Sequence, residues 1–218
     1  MLDGTEFGRL FESFQHTAFR LETLDLYDVA EEAEEFAAFL AGEAMPPEWS
    51  DNPWVRSMTD LGKTVARVHV LTSPLTDYLR YELSAYPGNI TAGETIGIID
   101  RAARPVAGLP EHDFWLFDDT DVYRMHYTTD GKFIGAEHLP AEATPEYIRY
   151  QQIAETHAVP LRRVLAAAPA LSAERDRAWR GGPERRGRRS RPHASRCVGA
   201  GGEAVPRTGQ LSSQSSLL

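Results

Sequence analysis

The stretch TVARVHVL, residues 64–71, decides the fold, because it is the clearest strand pattern in the chain. The side chains of a strand point alternately to two faces. One face here would carry Val65, Arg67, His69 and Leu71, and the other Ala66, Val68 and Val70. LTDYLRYELSAY (75–86) follows with apolar residues at helical spacing, and ETIGIID (94–100) has the pattern of a second strand. Strand, helix and strand of these lengths predict a right-handed crossover unit whose two strands are parallel.

Local signals predict where the crossover helix begins and ends. Ser73 followed by Pro74 is typical of a helix start. PGN (87–89), together with Gly93, is typical of a loop. We therefore expect the helix to begin at Ser73 and Pro74 and to end before residue 87.

Three further strand patterns lie downstream. In DFWLFDD (113–119) four bulky apolar residues stand together, as in a strand covered on both sides. VYRMHY (122–127) and KFIGAEH (132–138) flank Asp130 and Gly131, which suit a hairpin turn. These patterns predict an antiparallel meander, after which Thr144 and Pro145 begin a helix and Pro160 begins a shorter one.

The N-terminal part supplies another strand and helices. AFRLETL (18–24) alternates well enough to be a strand, and VAEEAEEFAAFLAG (29–42) is an amphipathic helix with its acidic residues outward. Asn52 and Pro53 begin a further helix. The predicted fold class is α/β with α+β character: a mixed sheet with a strand-helix-strand crossover, then an antiparallel meander, with helices packed on its faces. Residues 1–169 would form this single domain, and the Arg-, Gly- and Ser-rich residues 170–218 a disordered tail.

Charge divides the chain at the same point. Residues 171–218 hold ten arginines and four acidic residues, whereas the remaining 170 residues hold 13 basic and 28 acidic ones. The acidic body is unsuited to gripping nucleic acid over a broad surface. Cys197 is the only cysteine, so an internal disulfide is excluded. Since no apolar run approaches the roughly 18–20 residues of a membrane span and no leader pattern precedes the body, we expect a cytoplasmic protein.

The acids around DFWLFDD admit two interpretations. Asp113, Asp118 and Asp121 resemble a set of metal ligands, and they also suit the turns at both ends of a strand. The two aspartates 118 and 119 would point to opposite faces, which works against convergence on one ion. We expect turn residues here and no metal site.

A ligand site is predicted near the carboxyl end of the first crossover strand. Arg67 and His69 share a face there, and the helix start at Ser73 adds free N–H groups, a combination that suits a phosphate or carboxylate. Glu82 lies on the inward face of the following helix, where Arg20 or Arg67 would pair with it. The alternative is that these residues form structural ion pairs and hydrogen bonds.

Several stretches together resemble an actinobacterial family, the domain of unknown function DUF6879. They are TAFRLETLDLY (17–27), GKTVARVHVLTSPLTDYLRYEL (62–83), YPGNITAGETIGIID (86–100) and LPEHDFWLFDD (109–119), and the resemblance runs from about residue 6 to 165. Because members of that family are often encoded beside helix-turn-helix regulators, the resemblance implies a regulatory context. A looser likeness exists to phospholipase D-like sensor domains, although neither His69 nor His126 begins the His-x-Lys motif of the enzymes.

These observations predict a non-catalytic regulatory domain that binds a small ligand or a partner protein such as a helix-turn-helix regulator, without a cofactor. No Gly-x-Ser-x-Gly elbow, P-loop or complete catalytic set occurs in the body. One alternative is a metal-dependent effector enzyme, a nuclease or phosphotransfer enzyme, that uses Asp113, Asp118 and Asp121 with His69 or His126. Another is an antitoxin-like module whose basic tail contacts nucleic acid.

Overall fold

A computed structural model describes residues 1–43 and 47–167 of the chain. Its strands are β1 Thr17–Glu22, β2 Thr64–Leu71, β3 Thr95–Asp100, β4 Phe114–Phe117, β5 Asp121–Tyr127, β6 Phe133–His138 and β7 Val159–Pro160. Its α-helices are α1 Gly4–Gly8, α2 Leu10–Ser13, α3 Ala33–Leu40, α4 Pro53–Asp60, α5 Asp77–Ala92, α6 Thr144–His157 and α7 Leu161–Ala167. Short 3-10 helices span Ala30–Glu32, Pro47–Ser50 and Ala141–Ala143. The disordered tail predicted for residues 170–218 lies outside the described residues.

The strands form one mixed sheet in the order β6-β5-β4-β1-β2-β3-β7. β1, β2 and β3 are parallel, so the predicted crossover unit β2-α5-β3 is confirmed. β4, β5 and β6 form the predicted antiparallel meander. The meander joins the sheet through β4, which pairs antiparallel with β1. The sheet therefore changes from parallel to antiparallel pairing at β1.

Each face of the sheet has its own apolar core. On one face Phe19, Leu21 and Val68 pack with β4 residues beneath α6. On the other face α1 and α2 cover Trp115 and Phe117, while α5 and α7 cover the β3 end. All four residues of FWLF are buried, as predicted for a strand covered on both sides. Between the two apolar regions of the second face lies a buried polar patch, which is described below.

The crossover helix differs from the prediction at both ends. It begins at Asp77, with the Thr76 side chain accepting from the Leu79 N–H, and it continues through Pro87 to Ala92. Gly88 packs directly against the backbone of Trp49, where an added Cβ would lie 1.8 Å from the carbonyl oxygen. Tertiary packing therefore stabilises a helical end that the local Pro-Gly signal argues against.

The acidic segment differs from its predicted pattern at Glu32, which lies in the 3-10 helix before α3. Glu32 was expected on the outer face, but only 6% of it is exposed, and it accepts a hydrogen bond from the Tyr78 hydroxyl at 2.9 Å. Leu40, an apolar residue of the same amphipathic helix, is 55% exposed. None of the helices within the described residues has the length and apolar character that crossing a bilayer requires.

Candidate functional site

The parallel pairing of β1 and β2 brings three predicted site residues and a neighbour together. Arg20 lies beside Arg67 in the register, and Glu22 lies beside His69. All four side chains point to the face that α5 covers, because residues two apart on a strand share a face. Each of the four is at most 2% exposed. The strand pairing thus buries two guanidinium groups, one carboxylate and one imidazole in a single patch.

Glu22 is the centre of this patch. Its carboxylate lies 3.2 Å from Nη1 of Arg20 and 3.2 Å from Nη1 of Arg67. The Tyr86 hydroxyl donates a hydrogen bond to it at 3.2 Å. Burial raises the pKa of Glu22, but the two guanidinium groups outweigh that effect and hold the pKa at about 2. Glu22 is therefore ionised at neutral pH.

Arg67 connects Glu22 to a second buried carboxylate, Glu94. Its Nε donates to Glu94 Oε1 at 2.5 Å, and Nη2 lies 3.4 Å from Oε2. The Asn89 side chain donates to the same carboxylate at 2.7 Å. Arg20, Arg67, Glu22 and Glu94 therefore balance their charges inside the fold.

His69 is fully buried and neutral. Burial lowers its pKa, against the opposing charge of Glu22. Its Nε2 lies 3.2 Å from the Leu24 carbonyl oxygen, which can only accept, so Nε2 carries the proton. The Nδ1 lone pair consequently faces the Tyr86 hydroxyl at 2.8 Å.

Glu82 reaches the same patch from α5. Its Oε2 is buried without a hydrogen-bond partner and lies 3.8 Å from His69 Nδ1. Burial raises the pKa of Glu82 well above its usual value, and the charges of Glu22 and Glu32 raise it further. Burial therefore favours the protonated form of Glu82.

Ser73, the fifth predicted residue, is separate from this patch. It is exposed, and its hydroxyl donates to Asp100 at 2.8 Å. The neighbouring Thr72 N–H donates to the carboxylate of Asp25 at 3.2 Å. Carboxylates of the protein itself thus engage groups that were expected to face an anion. Whether any of the five predicted residues contacts a ligand stays a prediction.

The acids around β4 do not converge. Asp113 precedes the strand and accepts from the Thr23 N–H and hydroxyl and from the Tyr27 hydroxyl. Asp118 follows the strand and accepts the N–H groups of Gln15, His16 and Thr17 at 2.6–2.9 Å. Four extended residues keep the two backbones roughly 16 Å apart. Asp118 lies in the turn after β4 with a positive φ of 52°, yet both aspartates accept from distant chain segments and not from the backbone of their own turn. Their separation keeps them from sharing one ion.

A cleft of about 220 Å³ opens where β4 begins. Phe114, the first residue of β4, pairs with Leu21 on one side and Arg124 on the other. Beyond it the chain leaves a gap between the end of β1 and the end of β5. The lining residues are Thr23, Leu24, Glu111, His112, Asp113, Arg124, Met125, His126, Tyr127 and Thr128. Open sheets commonly bind ligands at the carboxyl ends of strands where the strand order switches, and this cleft has that position.

Arg124 distinguishes the cleft from the buried patch. Its Nε is buried without a hydrogen-bond partner, and the described part of the chain offers this guanidinium no ion pair. His112 beside it bonds the Tyr147 hydroxyl at 3.0 Å. Burial and the charge of Arg124 lower the pKa of His112 to about 4. His126, across the cleft, lies 2.9 Å from a Glu137 oxygen.

Sequence reasoning missed Glu22, Glu94, Tyr86 and Arg124. Glu22 was detectable, because it stands two positions after Arg20 on the same strand face. Arg124 was detectable by the same spacing, because it stands two positions after the buried Val122 on the same face of β5. The ion pair of Glu94 has no local signal, because it depends on how the loop before β3 meets β2.

Comparison with known proteins identifies a family and little else. The model of a family described as domain of unknown function DUF6879 matches residues 5–166. No curated protein and no solved structure shows a significant match to the chain.

Proposed function

Since the chain belongs to the DUF6879 family, whose description states no activity, we propose from the geometry of the site that it is a non-catalytic binding domain for a small anionic ligand. The ligand would carry a carboxylate or phosphate group and would enter the cleft between the ends of β1 and β5. The single observation that carries this proposal is the guanidinium of Arg124, which lines the cleft without a carboxylate partner among the described residues.

The physical reason is the cost of an unpaired charge. A partly buried guanidinium without a counterion loses hydration and gains no compensating bond, so an anion that binds it recovers free energy. The His112 ring, which is neutral near pH 7, and the Thr23 and Thr128 side chains provide polar contacts around that charge. The cleft volume of about 220 Å³ suits a ligand of a few heavy atoms.

A binding role is also supported by how the other charged groups are used. The charged groups of the buried patch form ion pairs with one another: Arg20, Arg67, Glu22 and Glu94. Asp113 and Asp118 accept hydrogen bonds from backbone N–H and hydroxyl groups. The enzyme alternative required Asp113, Asp118 and Asp121 to meet, and β4 separates the first two. We keep the non-catalytic assignment for this reason.

We further propose that the domain works with a DNA-binding regulator of the helix-turn-helix class in the cytoplasm. The strong acidic excess of residues 1–170 makes this part of the chain unsuited to hold DNA directly. A partner would then contact the DNA while this domain senses the ligand. Co-purification of the full chain with its genomic neighbours, with and without ligand, tests the partnership.

The ligand proposal is tested by calorimetric titration of the full chain with inorganic phosphate and with succinate. We expect one of the two probes to bind, and Arg124→Gln to weaken it at least about tenfold, since a bond to a charged group contributes about 1.5–3 kcal/mol. Arg162→Gln, which removes an exposed guanidinium on α7, is the matched control and should leave binding unchanged. Binding that survives Arg124→Gln, or no binding of either probe, would contradict the proposal.

A further inference from the structure

We infer that Glu22, His69 and Glu82, with the Tyr86 hydroxyl as fourth donor, form a binding site for a divalent transition-metal ion of the Zn²⁺ type. The site lies between β1, β2 and α5 in the buried polar patch. It is separate from the cleft of Arg124 and does not depend on the ligand proposed there.

The first support is the spacing of the donor atoms. Suitable donor atoms of the two glutamates and the histidine all lie within 4.8 Å of one another. His69 Nδ1 is 3.7 Å from Glu22 Oε2 and 3.8 Å from Glu82 Oε2. The Tyr86 oxygen is 2.8 Å from that nitrogen and 3.2 Å from that Glu22 oxygen. A tetrahedral zinc site with bonds of about 2.0–2.1 Å has donor atoms about 3.3 Å apart, so small side-chain rotations suffice.

The second support is the orientation of the imidazole. Histidine ligands to metals usually donate their second ring N–H to a carbonyl or carboxylate, which fixes the tautomer. Nε2 of His69 makes this contact with the Leu24 carbonyl oxygen at 3.2 Å. The remaining nitrogen, Nδ1, therefore presents a lone pair to the two glutamates.

The third support is a buried oxygen without a hydrogen-bond partner beside the His69 nitrogen. Glu22 Oε2 and His69 Nδ1 both face the Tyr86 hydroxyl, whose single hydrogen can serve one of them at a time. Glu82 Oε2, aimed at the same nitrogen, is buried and has no hydrogen-bond partner. A metal ion bound to Nδ1 would give this buried oxygen the partner that it lacks.

The charged residues around the site both support and oppose the binding of a cation. Arg20 and Arg67 hold the Glu22 carboxylate in place as outer contacts, and they also repel an incoming cation. When the ion binds, Glu82 loses its proton to solvent and a bond forms between its oxygen and the metal. His69 is already neutral and donates its lone pair without losing a proton. The side chain of Glu82 is 14% exposed, and we place the entry of the ion along it.

The test is metal loading of the full chain. The chelator-treated protein is equilibrated with Zn²⁺, dialysed, and analysed for metal by mass spectrometry, and Co²⁺ is used in parallel for its absorption spectrum. We expect one ion per chain and a Co²⁺ spectrum of four nitrogen and oxygen ligands. Glu82→Gln should weaken Zn²⁺ binding by about tenfold or more.

Two controls keep the outcome decisive. A glutamine amide has the shape of the protonated acid, so Glu82→Gln should fold, and its thermal transition verifies this before loading. Glu137→Gln removes a carboxylate beside a histidine elsewhere and should leave binding unchanged. Absence of bound metal in the wild-type chain would overturn the inference. Equal loading of Glu82→Gln would also overturn it, because the ion would then lie at another site.

Discussion

Replacing Arg67 by methionine is the sharpest test of the buried patch. The side chain is 2% exposed and binds two carboxylates, Glu94 at 2.5 Å and Glu22 at 3.2 Å. Methionine fills a similar volume without charge, so the variant removes the ion pairs and leaves little cavity. Glu22 keeps Arg20 as a partner, whereas Glu94 keeps only the neutral contact from Asn89 among the described residues.

The expected loss follows from the cost of stranding a buried carboxylate. Removing one partner of a buried ion pair typically costs about 3–5 kcal/mol, so we expect Arg67→Met to lower the free energy of unfolding by about 4 kcal/mol. With a urea dependence of about 2 kcal/mol per molar, the unfolding midpoint should fall by about 2 M.

The assay is urea unfolding followed by tryptophan fluorescence, to which the buried Trp115 contributes. Arg80→Met breaks the exposed Arg80–Asp77 pair and should cost less than about 1 kcal/mol. The double variant Arg67→Met with Glu94→Gln should recover part of the loss, because no buried charge is left without a partner. An Arg67→Met loss as small as that of Arg80→Met would refute the assignment of a buried, charge-balanced patch.

Three further predictions concern the turn, the helix and acid pH. Asp118→Ala should lower the unfolding free energy by about 2 kcal/mol, measured by urea unfolding, because three backbone N–H groups lose their acceptor. Gly88→Ala should lower the thermal midpoint by several degrees, since the new methyl group meets the Trp49 carbonyl, whereas Gly8→Ala has open space and should not. The pKa of His112 falls from 6.5 to about 4 on folding, so the unfolded state binds the proton first and stability is lost as the pH drops through that window. Comparing urea midpoints across that window should show a flatter pH dependence for His112→Gln than for the wild-type chain.

Strand and helix types were predictable where one local pattern dominated. The alternation of TVARVHVL, the apolar FWLF and the turn at Asp130 and Gly131 each specify a structure within a few residues. The end of α5 was not predictable, because Pro87 and Gly88 carry a loop signal that packing against Trp49 overrides. Local signals are worth about 1–3 kcal/mol each, which buried contacts can exceed.

Some residues of the candidate site were also predictable from the sequence, whereas their contacts were not. Arg67, His69 and Glu82 were recognised because polar residues on an apolar face need an explanation. The pairing of Arg67 with Glu22 and Glu94 was not predictable, because these two ion pairs join residues 45 and 27 positions apart in the chain. The cleft forms because β1 and β5 both extend past the first residue of β4. The sequence pattern of a single strand does not contain this information.

By itself the sequence determined the crossover and the meander, since periodicity and turn residues act over short distances, but not the edge strand β7. Only the tertiary structure decided that the meander attaches through β1, that the arginines neutralise buried glutamates, and that Arg124 faces a cleft. Strand register and charge pairing arise from long-range contacts whose energies depend on burial, and burial is a property of the folded chain.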